Sequence, residues 1–171
     1  IDHAGTPDAD EFTWEMEYDT EGHLVVMKRS ESDGEITNIT YKDGDVVKTS
    51  TRYVASGDLN GDGIIDSNDE WEYSAAIDYT TDNITAPIEN KGCLMLFDEI
   101  LDVDMDEMIY AYYGGMLGKA TKHLPLVGHY TYNGEDSVSD MYFTWTLNSD
   151  SYPTELVVKD QWDEYRCTFT R

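Results

Sequence analysis

The feature that most limits how this chain can fold is a period-two alternation of apolar and polar residues, broken by turn signals about every ten positions. "FTWEMEY" puts Phe12, Trp14, Met16 and Tyr18 on one face. Successive side chains of an extended chain point to opposite sides, so this pattern buries one face only as a strand. "DTEGHLVVMKR" turns at Gly22 and opens a second strand near Leu24. "SDGEITNITYKDGDVVKTSTRYV" adds turns at Asp33-Gly34 and Asp43-Gly44, a pair that suits tight hairpins because both residues accept positive φ. "WEYSAAIDYT" sets Trp71, Tyr73, Ala75, Ile77 and Tyr79 against Glu72, Ser74, Ala76, Asp78 and Thr80. The rhythm predicts a mainly β fold, an antiparallel meander of hairpins forming a barrel-like or strongly curved sheet.

An internal repeat supports the hairpin unit. "FTWEMEYDTEGHLVV" (residues 12–26) resembles "FTWTLNSDSYPTELVV" (residues 143–158), with one residue inserted near the turn. One segment departs from the rhythm. In "LDVDMDEMIYAYYGGMLGKATKHLP", Met105, Met108, Ile109, Tyr112, Met116 and Leu117 recur at helical spacing. Asp102, Asp104, Asp106 and Glu107 precede them, where a helix dipole favours negative charge, and Pro125 ends the segment. One short helix is expected near residues 104–122, packed on the sheet and loosened at Gly114-Gly115, with its methionines in the core.

Size and charge narrow the function. The chain has 171 residues, enough for one domain. Residues 1–10 lack periodicity and read as a tether, leaving residues 11–171 as a single β domain. Asp and Glu number 36 against 11 Lys and Arg, a net charge of −25. Nucleic acid and anionic lipid surfaces both need a basic face, which this composition does not supply. No apolar run is long enough for a transmembrane helix. The chain starts at Ile1 rather than Met, from which a trimmed, secreted mature protein is expected. Cys93 and Cys167 lack metal spacing; they pair in an oxidising compartment or stand as separate thiols, and sequence leaves both open.

The most specific motif is "SGDLNGDGIIDSNDEWEY", residues 56–73. An EF-hand loop needs oxygen ligands at positions 1, 3, 5, 7, 9 and 12 with Gly at 6. Counting from Asp58 gives Asp58, Asn60, Asp62, Gly63, Ile64 (through its carbonyl), Asp66 (through water) and Asp69, a calcium-type loop over residues 58–69. Ile65 is expected to anchor it on an apolar surface. The loop is similar to EF-hand and, more closely, dockerin calcium loops, which also carry Asp at position 12. Asp69 is shorter than the usual Glu, and Glu70 stands beside it as a substitute. Ser67 to Glu70 has capping-box spacing, yet the alternation that follows is that of a strand. The expectation is a lone structural Ca2+ loop joining two strands, against the plainer reading of an Asp/Asn/Gly-rich turn.

Other candidates are weaker. Four Trp and thirteen Tyr offer platforms for a glycan or peptide, or they fill the core. Trp162 and Tyr152, near turns, are the more exposed pair. A barrel lumen suits an apolar ligand. Asp98/Glu99 and the His123/His129 pair flanking "LPLVG" are the elements of a glycan-processing hydrolase, but close carboxylates arise by chance in so acidic a chain. No nucleophile elbow, HExxH or P-loop occurs, and no enzyme is expected. A monomer is expected.

"ENKGCLMLFDE", "YYGGMLGKATKHLP", the later "YPTELVV" and the early "YDTEGHLVVM" carry a family likeness over residues 11–171. The chain resembles the secreted, lipoprotein-like domains of unknown function with a porin-like fold from Gram-negative gut anaerobes. The resemblance implies an antiparallel, barrel-like fold in an extracytoplasmic place: periplasmic, secreted, or at the outer membrane through a lipid-anchored precursor. It brings no activity and no functional residues. A face such as Glu72, Ser74, Ala76 and Asp78 is not a lipid-facing band, so "porin-like" describes shape.

Overall fold

The computed structural model describes residues 13–30, 34–54, 57–66, 68–98, 100–103, 109–132 and 139–169. Phe12, Asp33, the tether at 1–10 and the expected helical residues Met105 and Met108 lie outside them. Nine strands form one antiparallel sheet in the order β1-β2-β3-β4-β5-β8-β9-β10-β11. They are β1 Trp14–Tyr18, β2 Leu24–Arg29, β3 Ile36–Lys42, β4 Asp45–Val54, β5 Glu70–Asp78, β8 Val127–Tyr132, β9 Ser139–Leu147, β10 Pro153–Lys159 and β11 Glu164–Thr168. A small pair, β6 Ile88–Glu89 with β7 His123–Leu124, closes the excursion between β5 and β8. Among the described residues β1 and β11 are edges, so the sheet is open rather than a closed barrel.

Turn chemistry sets the meander. Asp43 and Gly44 take φ of 55° and 89° and pair Lys42 with Asp45, the geometry a two-residue hairpin requires. The two repeated hairpins share one turn device. Asp19 Oδ1 accepts from the N–H groups of Glu21 and His23, and Asn148 Oδ1 accepts from those of Asp150 and Tyr152. Each adjoins a register shift, at Glu17/Tyr18 and at Pro153/Glu155. Trp14 and Trp145 are half-buried and Leu24 and Leu156 buried, although the two hairpins pair them in different registers, Trp14 with Arg29 and Trp145 with Leu156.

The inner face of the sheet is covered by its own excursion. Leu24, Met27, Ile39, Val46, Ala75, Ile77, Tyr130, Phe143, Leu156 and Val158 pack in one cluster with Phe97, Ile100, Leu101, Val103 and Leu117. Polar groups pin this plug: Thr49 donates to the Leu101 carbonyl at 2.6 Å and Tyr130 to that of Ile100 at 2.7 Å. Gly118 bridges His23, and the Lys122 N–H reaches the Gly44 carbonyl at 3.0 Å. Among the described residues, side chains of the excursion pack against the inner face.

The helix ends earlier than its sequence suggests. Only α1, Ile109–Tyr113, is helical among the described residues, and 114–117 form turns. Gly115 takes φ 69°, and the Met116 N–H bonds back to the Ala111 carbonyl, which ends the helix. Met116 is exposed rather than in the core, whereas Leu117 is buried.

The outer face is polar. Glu72 accepts from Ser50 at 2.8 Å and from Arg52 at 3.1 Å, and Ser74 meets Thr131 at 2.9 Å. These side chains suit water rather than lipid tails. No helix of the described residues is long and apolar enough to cross a membrane.

Candidate functional site

The calcium-type loop connects β4 to β5, at the rim of the sheet. Its acidic side chains organise its backbone. Asp58 Oδ1 accepts from the N–H groups of Gly61 at 2.7 Å and Asp62 at 3.2 Å, and Oδ2 from Gly63 at 2.8 Å. Asn60, Asp62 and Asp66 each accept, at 2.8 Å, from the N–H two residues ahead. Asp69 closes the ring. It is fully buried, and accepts from Leu59 at 2.7 Å, Asn60 at 3.1 Å and Asp66 at 3.0 Å. These N–H groups, that of Asp66 foremost, hold the Asp69 carboxyl below its usual range. Gly61 and Gly63, at φ 78° and 85°, make the left-handed steps that wrap the chain.

The expected donors Asp58, Asn60, Asp62, Ile64, Asp66 and Asp69 thus belong to one curled loop, all of them hard oxygen donors of the kind Ca2+ takes. Among the described residues no three His, Cys, Asp or Glu side chains are gathered as a metal-ligand set. The four Asp of the loop pattern, Asp58, Asp62, Asp66 and Asp69, are thus engaged with backbone N–H groups in this structure rather than drawn together. Ser67 of the capping box lies outside the described residues, and β5 begins at Glu70. One expectation is corrected: Ile65 does not anchor the loop, being 58% exposed, with Ile64 at 60%. The loop is tied by its own carboxylates and projects from the sheet, so no apolar surface reaches them.

The two histidines belong to separate networks. His123 Nδ1 meets Asp45 Oδ2 at 2.7 Å, and Asp45 Oδ1 accepts from the His123 N–H at 2.8 Å and the Thr121 hydroxyl at 3.3 Å. The Tyr79 O–H, pushed up chiefly by burial, joins Thr121 at 2.8 Å, so the whole group fastens the excursion to β4. His129 lies on the outer face between Asp140 at 2.8 Å and Asp78 at 3.2 Å. Its pKa is raised, first by the Asp140 hydrogen bond. A raised folded pKa gives stability that is complete below the unfolded value near 6.5 and disappears as pH rises through the folded value. Urea midpoints of the wild type are expected to fall relative to His129→Gln between pH 5.5 and 9, by less than about 1 kcal/mol because the ring is half-exposed. Parallel pH profiles would remove the pair from the account.

Trp162 is 72% exposed, as expected, but Tyr152 is half-buried with Lys91 Nζ 4.9 Å from its ring centre. They sit at opposite ends of β10, about 20 Å apart along the strand, and make no common platform. Cys93 and Cys167 are exposed, unpaired thiols. Asp98 is exposed, and Glu99 lies outside the described residues.

Sequence reasoning missed a groove of about 380 Å³ beside the calcium-type loop, lined by Tyr53, Trp71, Tyr73, Tyr132, Asp98 and Asp102, with Val103. Tyr53 pairs with Trp71 and Tyr73 with Tyr132 in register across β4, β5 and β8. Tyr73 lies 6.4 Å from both Tyr53 and Tyr132, ring centre to ring centre. Alternating aromatics on either side of the loop were the available signal; the carboxylates come from the plug, which no strand pattern announces.

A family model described as "Domain of unknown function (DUF4595) with porin-like fold" matches residues 5–155. Among solved structures, a porin-like protein from Bacteroides uniformis ATCC 8492 matches at 17% identity and TM-score 0.35, covering 92% of this chain and 76% of that one. No curated protein matches.

Proposed function

Since this chain belongs to the family of domains of unknown function with a porin-like fold, we propose that it is a non-catalytic extracytoplasmic domain whose β4–β5 rim is stapled by one structural Ca2+. The observation that carries the reading is the closed ring of the loop, in which Asp58 and the buried Asp69 each gather three backbone N–H contacts. Asp58, Asn60, Asp62, Asp66 and Asp69, with the Ile64 carbonyl, would hold the ion. Calcium supplies charge neutralisation among carboxylates that otherwise repel. With Asp rather than Glu at position 12, the loop suits the millimolar calcium found outside cells. The polar outer face supports a domain that stands in water beside the membrane rather than within it.

Calcium at about one hundred times its dissociation constant is expected to add about 2.7 kcal/mol, or about 5–10 °C in melting temperature for a chain of this size. The double variant Asp58→Asn/Asp69→Asn should lose that increment; each Asn keeps one acceptor oxygen but sets an NH2 where the other oxygen accepted, so its calcium-free melting temperature is expected to be lower and the calcium-induced shift is the quantity compared. An unchanged wild-type melting temperature at 10 mM calcium would overturn the staple.

A further inference from the structure

The groove beside the loop has a chemistry of its own. Three adjacent strands supply its aromatic wall, and the plug supplies Asp98, Asp102 and Val103 opposite it. The plug turn is pinned at several points. The Leu101 N–H bonds to the Leu96 carbonyl at 3.0 Å and the Val103 N–H to the Phe97 carbonyl at 2.8 Å. The carbonyls of Ile100 and Leu101 are taken by Tyr130 and Thr49. Asp102 takes φ 51°, a left-handed step that costs a non-glycine residue about 1 kcal/mol or more. Its side chain lines the groove.

The electrostatics are one-signed. Among the described residues the lining contains two carboxylates and no Lys, Arg or His. Burial and then the Asp98 charge push the Asp102 carboxyl upward. Burial and the Asp102 charge do the same to the Tyr132 O–H. A cation entering would relieve both, and the faces of Tyr and Trp rings attract organic cations through their quadrupoles. A hydrated metal ion gains little from aromatic walls. A neutral sugar would gain from the rings but would leave the carboxylate repulsion in place.

We propose that this groove binds the alkylammonium group of a small amine, with Tyr53, Trp71, Tyr73 and Tyr132 against its carbon atoms and Asp98 and Asp102 opposing its charge. A volume of about 380 Å³ lies at the lower end of the range for small-molecule sites. The proposal goes beyond the calcium reading and does not rest on it, so it is tested with calcium removed by chelator.

The experiment is calorimetric titration of the whole chain with choline in about 150 mM salt, beside 3,3-dimethylbutan-1-ol, the uncharged isostere, and cellotetraose. Saturable choline binding is expected, with the isostere weaker by about tenfold or more. Asp102→Asn should weaken choline by about tenfold, and Tyr53→Leu should weaken it while Tyr53→Phe retains it. Asp160→Asn, in the distant β10–β11 turn, controls for general attraction to an acidic chain and should change nothing. If Asp102→Asn fails to fold, Asp98→Asn takes its place. Equal binding of the isostere, undiminished binding by both Asn variants, binding of cellotetraose in place of choline, or no saturable choline binding at 10 mM would each overturn the proposal.

Discussion

Gly118→Ala is expected to lower stability by about 3 kcal/mol, while Gly115→Ala costs about 1 kcal/mol. The two glycines have nearly the same backbone, φ 70° and 69°, so the intrinsic penalty of a side chain in the left-handed region is common to both. They differ in surroundings. A Cβ on Gly118 would stand 2.8 Å from the Gly22 carbonyl oxygen and 2.9 Å from the Leu24 nitrogen, whereas nothing lies within 4 Å of one on Gly115. Both obstacles are backbone, and Gly118 is where the excursion bridges His23. The clash can be relieved only by parting the plug from the β1–β2 turn. Melting temperatures should separate the variants by about 4–8 °C; equal losses would mean that the bridge bears no load.

Leu101→Ala is expected to cost about 3–4 kcal/mol. Leu101 is 1% exposed, sits in the main cluster, and its carbonyl is the acceptor for Thr49 from the sheet. Truncation leaves a cavity between two layers that are tied by hydrogen bonds and relax only in part. Leu59→Ala, at 47% exposure on the calcium-type loop, should stay within about 0.5 kcal/mol. A loss below 1 kcal/mol for Leu101→Ala would make the excursion a loosely laid flap rather than part of the core.

The legibility of this fold divides along its hydrogen bonding. Strands were readable because alternation follows directly from the pleat: Ala75, Ile77 and Tyr79 are buried while Ala76, Asp78 and Thr80 are exposed, as the period of two requires. Asp43-Gly44 was readable because few residue pairs accept two consecutive positive φ values. The plug was not. Phe97, Ile100, Leu101, Val103 and Leu117 are buried from irregular turns, where burial has no period to betray it. In the neighbouring helical segment the spacing located a helix but not its buried face, because Tyr112 and Met116 fall at helical spacing yet face solvent.

The loop shows both outcomes at once. Its turns were legible, because Asx turns and left-handed glycines are local chemistry. The exposure of Ile64 and Ile65 was not, because it depends on where the loop stands relative to the sheet. The aromatic–carboxylate groove was illegible for the same reason: it joins three strands to a turn that returns from the excursion.

The calcium staple is tested most directly by calorimetric titration of calcium into chelator-stripped protein, wild type beside Asp58→Asn/Asp69→Asn. One saturable site per chain is expected in the wild type and none in the double variant. An identical isotherm for the two proteins, or no saturable site in either, would contradict the staple.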